Sequence, residues 1–176
     1  MENPASLILH AAAFAAEKHR HQRRKDVQAS PYINHPIALA HLLANDGGID
    51  DPVVICAALL HDTIEDTATT EAELRATFGD AITDVVLEVT DDKSLPKAER
   101  KERQVEHAPH ATHAARLVKL ADKICNLRDI ASSPPADWPA SRKDEYYDWA
   151  KRVVDGLRGT NAALERLFDA AYARRR

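Results

Sequence analysis

The sequence predicts an all-α fold that forms one domain over residues 1–176. Only 5% of the residues are aromatic and only five are glycine, so Leu, Ile, Val and Ala must supply the core, as is usual in packed helices. Apolar side chains also recur at intervals of three and four residues along most of the chain. Because no internal repeat or linker divides the sequence, we expect a single buried core.

The first two helices are predicted by spacing and by turn residues. Apolar residues at helical intervals predict a helix from about residue 5 to residue 21. Asn34 resembles an N-cap, and Pro36 suits the first turn of the helix that follows it. The sequence NDGG at 45–48 is predicted to end this second helix.

A strongly apolar third helix is predicted after the pair Asp-Pro at 51–52, because this pair combines an N-cap with proline at the first helical position. It continues through VVICAALL to the segment HDTIED at 61–66. Thr70 and Glu73 form a predicted capping box for a short helix that Gly79 ends. A further helix is expected directly after this glycine.

The C-terminal half is predicted to contain four helices. Residues 96–107 carry many opposite charges at helical spacing and indicate an exposed helix. An apolar stripe over 117–127 indicates a long buried helix. Ser141 is a candidate N-cap for the next helix, whose apolar stripe covers 146–157, and a stripe over 164–168 predicts the last one.

Composition and charge exclude several classes of protein. A net charge of −4 and a pI near 6.1 argue against binding of long nucleic acid, although HRHQRRK at 19–25 could hold a small anion. The longest apolar run, 53–60, is too short to span a membrane, and no signal peptide is apparent, so we expect a cytoplasmic protein. Cys56 and Cys125 lie in apolar patterns and are expected to be core residues.

The segment HDTIED concentrates ionisable side chains near the end of an apolar helix. On a helix, Glu65 would lie near His61 and Asp62, and Asp66 would lie near Asp62. No cation in the segment compensates the three carboxylates. Because imidazole and carboxylate together suit Mn²⁺, Fe²⁺ or Zn²⁺, a bound divalent cation is the simplest compensator. An isolated His-Asp pair, however, is also common at exposed helix ends.

Two distant residues could complete such a site. Asp122 interrupts an apolar helical stripe, where an unpaired carboxylate would be costly. Pairing with Lys119 or Lys123 is the alternative, and it is favoured when Asp122 is considered alone. His35 could likewise be an exposed turn residue. Together with His61 and Asp62, however, these two residues would give four ligands with room for water.

At this level of detail the sequence resembles the hydrolase domain of the RelA/SpoT alarmone enzymes, and most of all the stand-alone metazoan SpoT homologues, or small alarmone hydrolases. The similarity extends over nearly the whole chain. The matching segments are RRKD at 23–26, PYINHP at 31–36, AALLHDTIEDT at 57–67, FGD at 78–80, EVTDDKSLPKAERK at 88–101, LVKLADKICNLRD at 117–129 and GLRGTN at 156–161. The resemblance implies an HD-domain helical bundle.

The resemblance also implies a reaction, the hydrolysis of (p)ppGpp to GDP or GTP and pyrophosphate. One Mn²⁺ per chain would be held by the residues that match the family's ligands, His35, His61, Asp62 and Asp122. Glu65 and Asp66 would orient a metal-activated water and take its proton. The partner would thus be a small nucleotide, and the enzyme would act in the stringent response, by degrading the alarmone.

Six further positions match residues that bind the nucleotide in the family: Arg24, Lys25, Lys97, Asn126, Arg142 and Tyr146. A guanidinium can stack on a base, and an ammonium can meet a phosphate. By spacing alone, Tyr146 could equally belong to the core. Cys125 stands where many relatives have an aromatic residue, which would change the pocket wall beside Asn126.

Two other functions are compatible with the same residues. An enzyme with this metal site could remove the 2′-phosphate of NADPH, because both substrates are phosphorylated nucleosides. A protein of a different class, an alarmone-binding protein without catalysis, is also conceivable, but the intact pair of Glu65 and Asp66 argues against it. The sequence alone indicates no oligomeric state.

Overall fold

The computed structural model describes residues 3–175, and within this range the chain forms nine α-helices and no β-strand. The predicted all-α class is therefore confirmed. None of these helices is long and apolar enough to cross a membrane. The helices are α1 (Pro4–Lys18), α2 (Asn34–His41), α3 (Pro52–Leu60), α4 (Thr63–Asp66), α5 (Glu71–Val89), α6 (Lys97–His107), α7 (His113–Ser132), α8 (Ala140–Asp155) and α9 (Ala162–Tyr172).

Helix α3 lies at the centre of the bundle. Its residues from Val54 to Leu60 are all buried, because α1, α2, α5 and α7 pack around it. The Asp51 carboxylate accepts a hydrogen bond of 2.9 Å from the Val53 amide, which confirms the predicted N-cap. A helix that is apolar on every side has to lie in the core. The residues that follow α3 therefore begin in the interior of the protein.

Helix α7 is the second central element. It packs against α2, α3, α5, α8 and α9, and it carries the largest share of the buried core. Two of its buried residues are charged, namely Lys119 and Lys123. The N-terminus of α2, the C-terminus of α3 and the middle of α7 thus bring polar groups to the same region of the interior.

Two predicted N-caps are wrong. Asn34 is the first residue of α2 and not its N-cap, and its amide donates to the Pro31 carbonyl at 3.2 Å. No side chain caps this helix. Helix α8 begins at Ala140, and its N-cap is Pro139, which has an extended backbone and no side-chain cap. Ser141 therefore lies inside the first turn. The first helix is also shorter than predicted and ends at Lys18.

The predicted break at Gly79 is confirmed as a kink inside α5, where this glycine has φ of 78°. Such a positive φ favours glycine over other residues. Upstream, the Thr70 hydroxyl accepts from the Glu73 amide at 3.2 Å, as the predicted capping box requires. The Glu73 carboxylate, however, forms an ion pair of 2.7 Å with Lys18 of α1. The start of α5 is thereby attached to α1.

The loop between α1 and α2 is held by two isolated β-bridges. Arg23 is bridged to Pro31, and Asp26 is bridged to Pro135, which follows α7. The Asp26 carboxylate also accepts hydrogen bonds from the amide and the hydroxyl of Ser30, at 3.1 and 2.5 Å. These contacts hold Ala29 in the left-handed region, at φ of 49°.

We expect Gly156→Ala to destabilise the fold. A Cβ at this position would lie 2.9 Å from the Cβ of Ala108 and 3.0 Å from the Cδ of Pro109, so the end of α8 would have to move away from the turn after α6. Overpacking of this kind costs about 1–3 kcal/mol in free energy of unfolding. Urea denaturation measures this loss. The exposed substitution Ala170→Ser is the control, and an unchanged midpoint for Gly156→Ala would show that this contact is not tight.

Candidate metal centre and the adjoining cleft

The segment 61–66 is not one continuous helix, although helical spacing was used to place its side chains in the sequence. Helix α3 ends at Leu60, and Asp62 adopts φ of −100° and ψ of 0° before the short helix α4 begins. The buried Thr63 hydroxyl donates to the Leu60 carbonyl at 2.7 Å and so binds a carbonyl at the end of α3. The turn directs His61 and Asp62 into a chamber of about 200 Å³, which Glu65 and Asp66 also line.

His61 is oriented by the backbone of its own helix. Its Nδ1 lies 2.8 Å from the Ala58 carbonyl, which can only accept, so Nδ1 carries a proton. The buried Nε2 makes no hydrogen bond, although it lies 2.9 Å from Oδ2 of Asp62. The second imidazole nitrogen and a carboxylate oxygen therefore face the chamber side by side. This arrangement is typical of a metal ligand whose other nitrogen is held by a carbonyl.

His35 brings a third ligand atom to the chamber from the first turn of α2. Its side chain is buried, and its Nδ1 has no hydrogen-bond partner among residues 3–175. Ligand atoms of His35, His61 and Asp62 all lie within 4.8 Å of one another. HD domains bind divalent metals, and an imidazole-carboxylate set of this composition fits such an ion.

Asp122 lies beside this group and not within it. Its Oδ1 is 3.1 Å from Nε2 of His35, and the same oxygen accepts from the Asn126 side chain at 2.7 Å. Its Oδ2 is paired with Lys123 at 2.8 Å, which is the alternative that spacing favoured. The structure thus brings all four predicted ligands into contact, with His35 as the link between Asp122 and the group at His61.

The charges in the chamber are strongly coupled. Burial opposes a charge on His61, but Asp62 outweighs this effect and raises the pKa of His61 to about 9 when no cation is bound. Burial also disfavours the Asp62 carboxylate, yet His61 and His35 hold its pKa below the usual range. Lys123 and His35 likewise outweigh burial and lower the pKa of Asp122. Both aspartates are therefore ionised at neutral pH and available to a cation.

Tyr32 orients Asp62 and was not identified from the sequence. Its hydroxyl donates a short hydrogen bond to Oδ2 of Asp62. Burial and the neighbouring carboxylate raise the pKa of this phenol well above its usual range, so the hydroxyl stays protonated. The ring packs against the buried His19, with centroids 4.8 Å apart. The position of Tyr32, three residues before His35, is the one signal in the sequence that could have indicated this role.

Glu65 and Asp66 differ in environment. Oε2 of Glu65 accepts from the Asp91 amide at 3.1 Å, and burial together with the nearby carboxylates raises the pKa of Glu65 to about 7. Asp66 is bound by Lys93 through a short contact and by the Gln22 amide at 3.3 Å. The compensating cation that segment 61–66 lacks thus comes from the connection between α5 and α6.

The chamber opens into a cleft with two arms. The first arm, of about 600 Å³, shares Arg24, Tyr32 and Asn126 with the chamber and is bounded by the loop between α1 and α2. The second, of about 260 Å³, shares Asp91 and Gln104 with the chamber. We call the first the wide arm and the second the basic arm. The basic arm is lined by five cationic residues: Lys25, Lys97, Arg100, Lys101 and Arg142.

All six predicted nucleotide-binding residues line the cleft. Arg24 pairs with Asp129 at 2.7 Å in the wide arm, with its guanidinium 5.7 Å from the Tyr32 ring centroid. Lys25 and Tyr146 line both arms, so Tyr146 belongs to the cleft as well as to the aromatic packing. Asn126 lines the chamber and the wide arm. Lys97 and Arg142 lie in the basic arm.

The basic arm also contains residues of α6 that the sequence indicated only as an exposed face. Arg100 lies with Nη1 4.0 Å from Oε1 of Glu65, and its buried Nε has no hydrogen-bond partner among residues 3–175. Gln104 donates to both carboxylate oxygens of Asp91, at 2.9 and 2.7 Å. Lys101 lies over the Trp149 ring at 4.8 Å. One side of this charged helix therefore faces the cleft.

Comparison with known proteins agrees with this geometry. Residues 11–148 match the family described as HD domain. The chain is 56% identical over 172 residues to guanosine-3′,5′-bis(diphosphate) 3′-pyrophosphohydrolase MESH1 of Xenopus tropicalis, which covers 98% of this chain and 96% of that protein. The chain belongs to the MESH1 family of HD-domain proteins. The MESH1 protein of Homo sapiens is 53% identical over 175 residues, 99% of this chain and 98% of that protein.

A solved structure is similar to this chain and indicates the same family. A metazoan ortholog of SpoT that hydrolyses ppGpp superposes with a TM-score of 0.95 at 46% identity, over 99% of this chain and 98% of that chain. The chain therefore has the all-α HD fold of this ortholog, and the predicted resemblance to the stand-alone metazoan SpoT homologues is confirmed.

We expect Tyr32→Phe to weaken metal binding by about tenfold or more, because Asp62 loses the hydrogen bond that orients it. Calorimetric titration of the metal-free protein with Mn²⁺ measures the affinity. Tyr172→Phe, in which the hydroxyl lost binds Arg175 far from the chamber, is the control. An affinity equal to that of the unmodified protein would show that the Tyr32 hydroxyl does not support the ligand.

Proposed function

We propose that this chain is a metal-dependent guanosine-3′,5′-bis(diphosphate) 3′-pyrophosphohydrolase, which converts ppGpp or pppGpp to GDP or GTP and pyrophosphate. The observation that carries the proposal is the joining of a His-Asp chamber, two further carboxylates and a basic arm in one cleft. The names of the MESH1 relatives and the activity of the structural relative support the same reaction.

We propose Mn²⁺ as the cofactor, one ion per chain, held by His35, His61, Asp62 and Asp122. The grouping of ligand atoms from His35, His61 and Asp62 supports this assignment, as does the contact of His35 with Asp122. When bound, the ion supplies Lewis-acid chemistry, which makes water more acidic and polarises the attacked phosphoryl group. The four side chains line the same chamber as Glu65 and Asp66, where the reaction would take place.

Glu65 is the proposed general base. The Asp91 amide holds Oε2, and Oε1 points toward Arg100, so the carboxylate has a fixed orientation. Water attacks the 3′-phosphorus and Glu65 takes a proton from this water. The bond from the phosphorus to the ribose 3′-oxygen breaks, and this oxygen takes up a proton from solvent, so the products are a 3′-hydroxyl and pyrophosphate. Asp66 orients the water, and Lys93 and Gln22 hold its carboxylate in place.

The two arms suit the two parts of the nucleotide. The wide arm offers Arg24 and the Tyr146 ring for the guanine base and Asn126 for the ribose. The basic arm offers Lys25, Lys97 and Arg142 for the 5′-phosphates. Burial and the neighbouring Arg142 and Lys25 lower the pKa of Lys97, because like charges crowd this arm. A polyanion relieves this repulsion.

The rate should depend on pH through Glu65. A general base acts only when it is deprotonated, and the pKa of Glu65 is raised to about 7. Hydrolysis should therefore fall as the pH drops below about 7. A bound cation favours the charged carboxylate, so the midpoint for the loaded enzyme should lie at or below this value. The pH dependence of kcat measures the midpoint, and persistence of the same midpoint in Glu65→Gln would assign it to another group.

The double substitution Glu65→Ala with Asp66→Ala should lower kcat by at least about 100-fold while Mn²⁺ binding is retained, because neither residue is a proposed ligand. Pyrophosphate release from ppGpp is the assay, and Asp155→Ala on the exposed surface of α8 is the control. Phosphate release from NADPH is measured in parallel. Phosphate release from NADPH without pyrophosphate release from ppGpp would favour the 2′-phosphatase, and binding of ppGpp without either product would favour a non-catalytic protein.

We also propose that residues 1–176 form one domain of a cytoplasmic protein. Both α1 and α9 pack on the central helices, α1 on α3 and α9 on α7, so the two ends of the described range share one core. Unfolding in urea should then show a single transition by fluorescence and by circular dichroism. Two separated transitions would indicate two independent units.

A further inference from the structure

One cation of the metal chamber has no role in the mechanism proposed so far. Lys119 lies on α7, one turn before Asp122, and its side chain lines the chamber together with Glu65 and Asp91. Only 6% of its surface is exposed. We infer that Lys119 binds the 3′-diphosphate of the substrate inside the chamber. This inference rests on the proposed function and adds a substrate contact that the sequence did not indicate.

Lys119 has no hydrogen-bond or ion-pair partner in the described part of the protein. Among residues 3–175, its ammonium makes no hydrogen bond and has no carboxylate oxygen within 4.0 Å. The other buried lysine of α7 differs in this respect, since Lys123 is paired with Asp122 at 2.8 Å and lies 4.3 Å from the Trp149 ring centroid. A charged side chain that is so little exposed and has no acceptor in the protein is costly unless the chamber supplies one.

Charged groups of both signs lie around the Lys119 ammonium. Burial and Lys123 disfavour the charge of Lys119 and lower its pKa, while Asp91, Asp122 and Glu65 act in the opposite direction without touching it. The lysine thus faces a chamber with acidic walls but with space between the wall and the ammonium. The oxygens of a diphosphate would occupy this space as hydrogen-bond acceptors, and their negative charge would pair with the ammonium.

Packing does not require a lysine at position 119. Lys119 lies between the buried residues Val118 and Leu120, and a long apolar side chain would fill the same volume without the cost of a buried charge. Stability alone therefore favours an apolar residue at this position. A substitution that removes the charge should not lower stability, and this distinguishes binding from a structural role.

The test uses Lys119→Met in the Mn²⁺-loaded protein, with inorganic pyrophosphate as the probe. We expect calorimetry to give an affinity for pyrophosphate lower by about tenfold or more, because one charge-assisted contact is lost. The KM for ppGpp should rise by a similar factor, and the melting temperature of the metal-free protein should stay the same or rise. Lys151→Met, on the exposed face of α8, is the matched control and should change none of these quantities.

Unchanged pyrophosphate affinity in Lys119→Met would overturn the inference, and so would a lower melting temperature, because it would show that the lysine supports the fold. If this variant does not fold, Lys119→Gln replaces it and is judged by the same titration. The proposed function is tested separately, by hydrolysis in the unmodified protein. Pyrophosphate binding that depends on Lys119, in a protein that does not hydrolyse ppGpp, would contradict the proposed function but would still show that Lys119 binds a diphosphate.

Discussion

The burial of α3 on every side is the constraint from which the site follows. Four helices pack around it, and the chain that leaves its C-terminus must therefore carry His61 and Asp62 through the interior before it reaches the surface. Burial of these two groups is tolerable only where each is oriented and charge is compensated. The Ala58 carbonyl orients the imidazole, and the Tyr32 hydroxyl orients the carboxylate. A bound divalent cation would compensate the negative charge that these contacts leave in the chamber.

Each carboxylate around the chamber is held by a group from another part of the chain. Asp122 is bound by His35 of α2, Glu65 by the amide of Asp91 after α5, and Asp66 by Lys93 from the same connection. Repulsion among the carboxylates is thus resisted by the tertiary structure and not by the local sequence. Because the packed helices hold these partners in place, the ligand atoms are positioned before any ion or substrate arrives.

The sequence predicted most of the helices, because spacing and caps are local features, and the structure brings the four proposed ligands close together. His61 and Asp62 were recognisable from the crowded acidic turn that follows a buried helix, and His35 and Asp122 only in combination with them. The break in the helix at Asp62 was missed, since spacing alone does not reveal a turn that is set by packing. The inward side of α6, which includes Arg100, was missed for a related reason, because its charged composition resembles a solvated face and its contacts come from α8.

The two β-bridges of the loop between α1 and α2 affect the thermodynamics of binding. This loop forms a wall of the wide arm, and it is attached both to itself, between Arg23 and Pro31, and to the segment after α7, between Asp26 and Pro135. A wall that is already ordered loses little conformational entropy when a ligand enters. Selectivity in this arm then arises from shape and hydrogen bonding, and a nucleoside of the wrong shape cannot be accommodated by rearranging the loop without breaking those bridges.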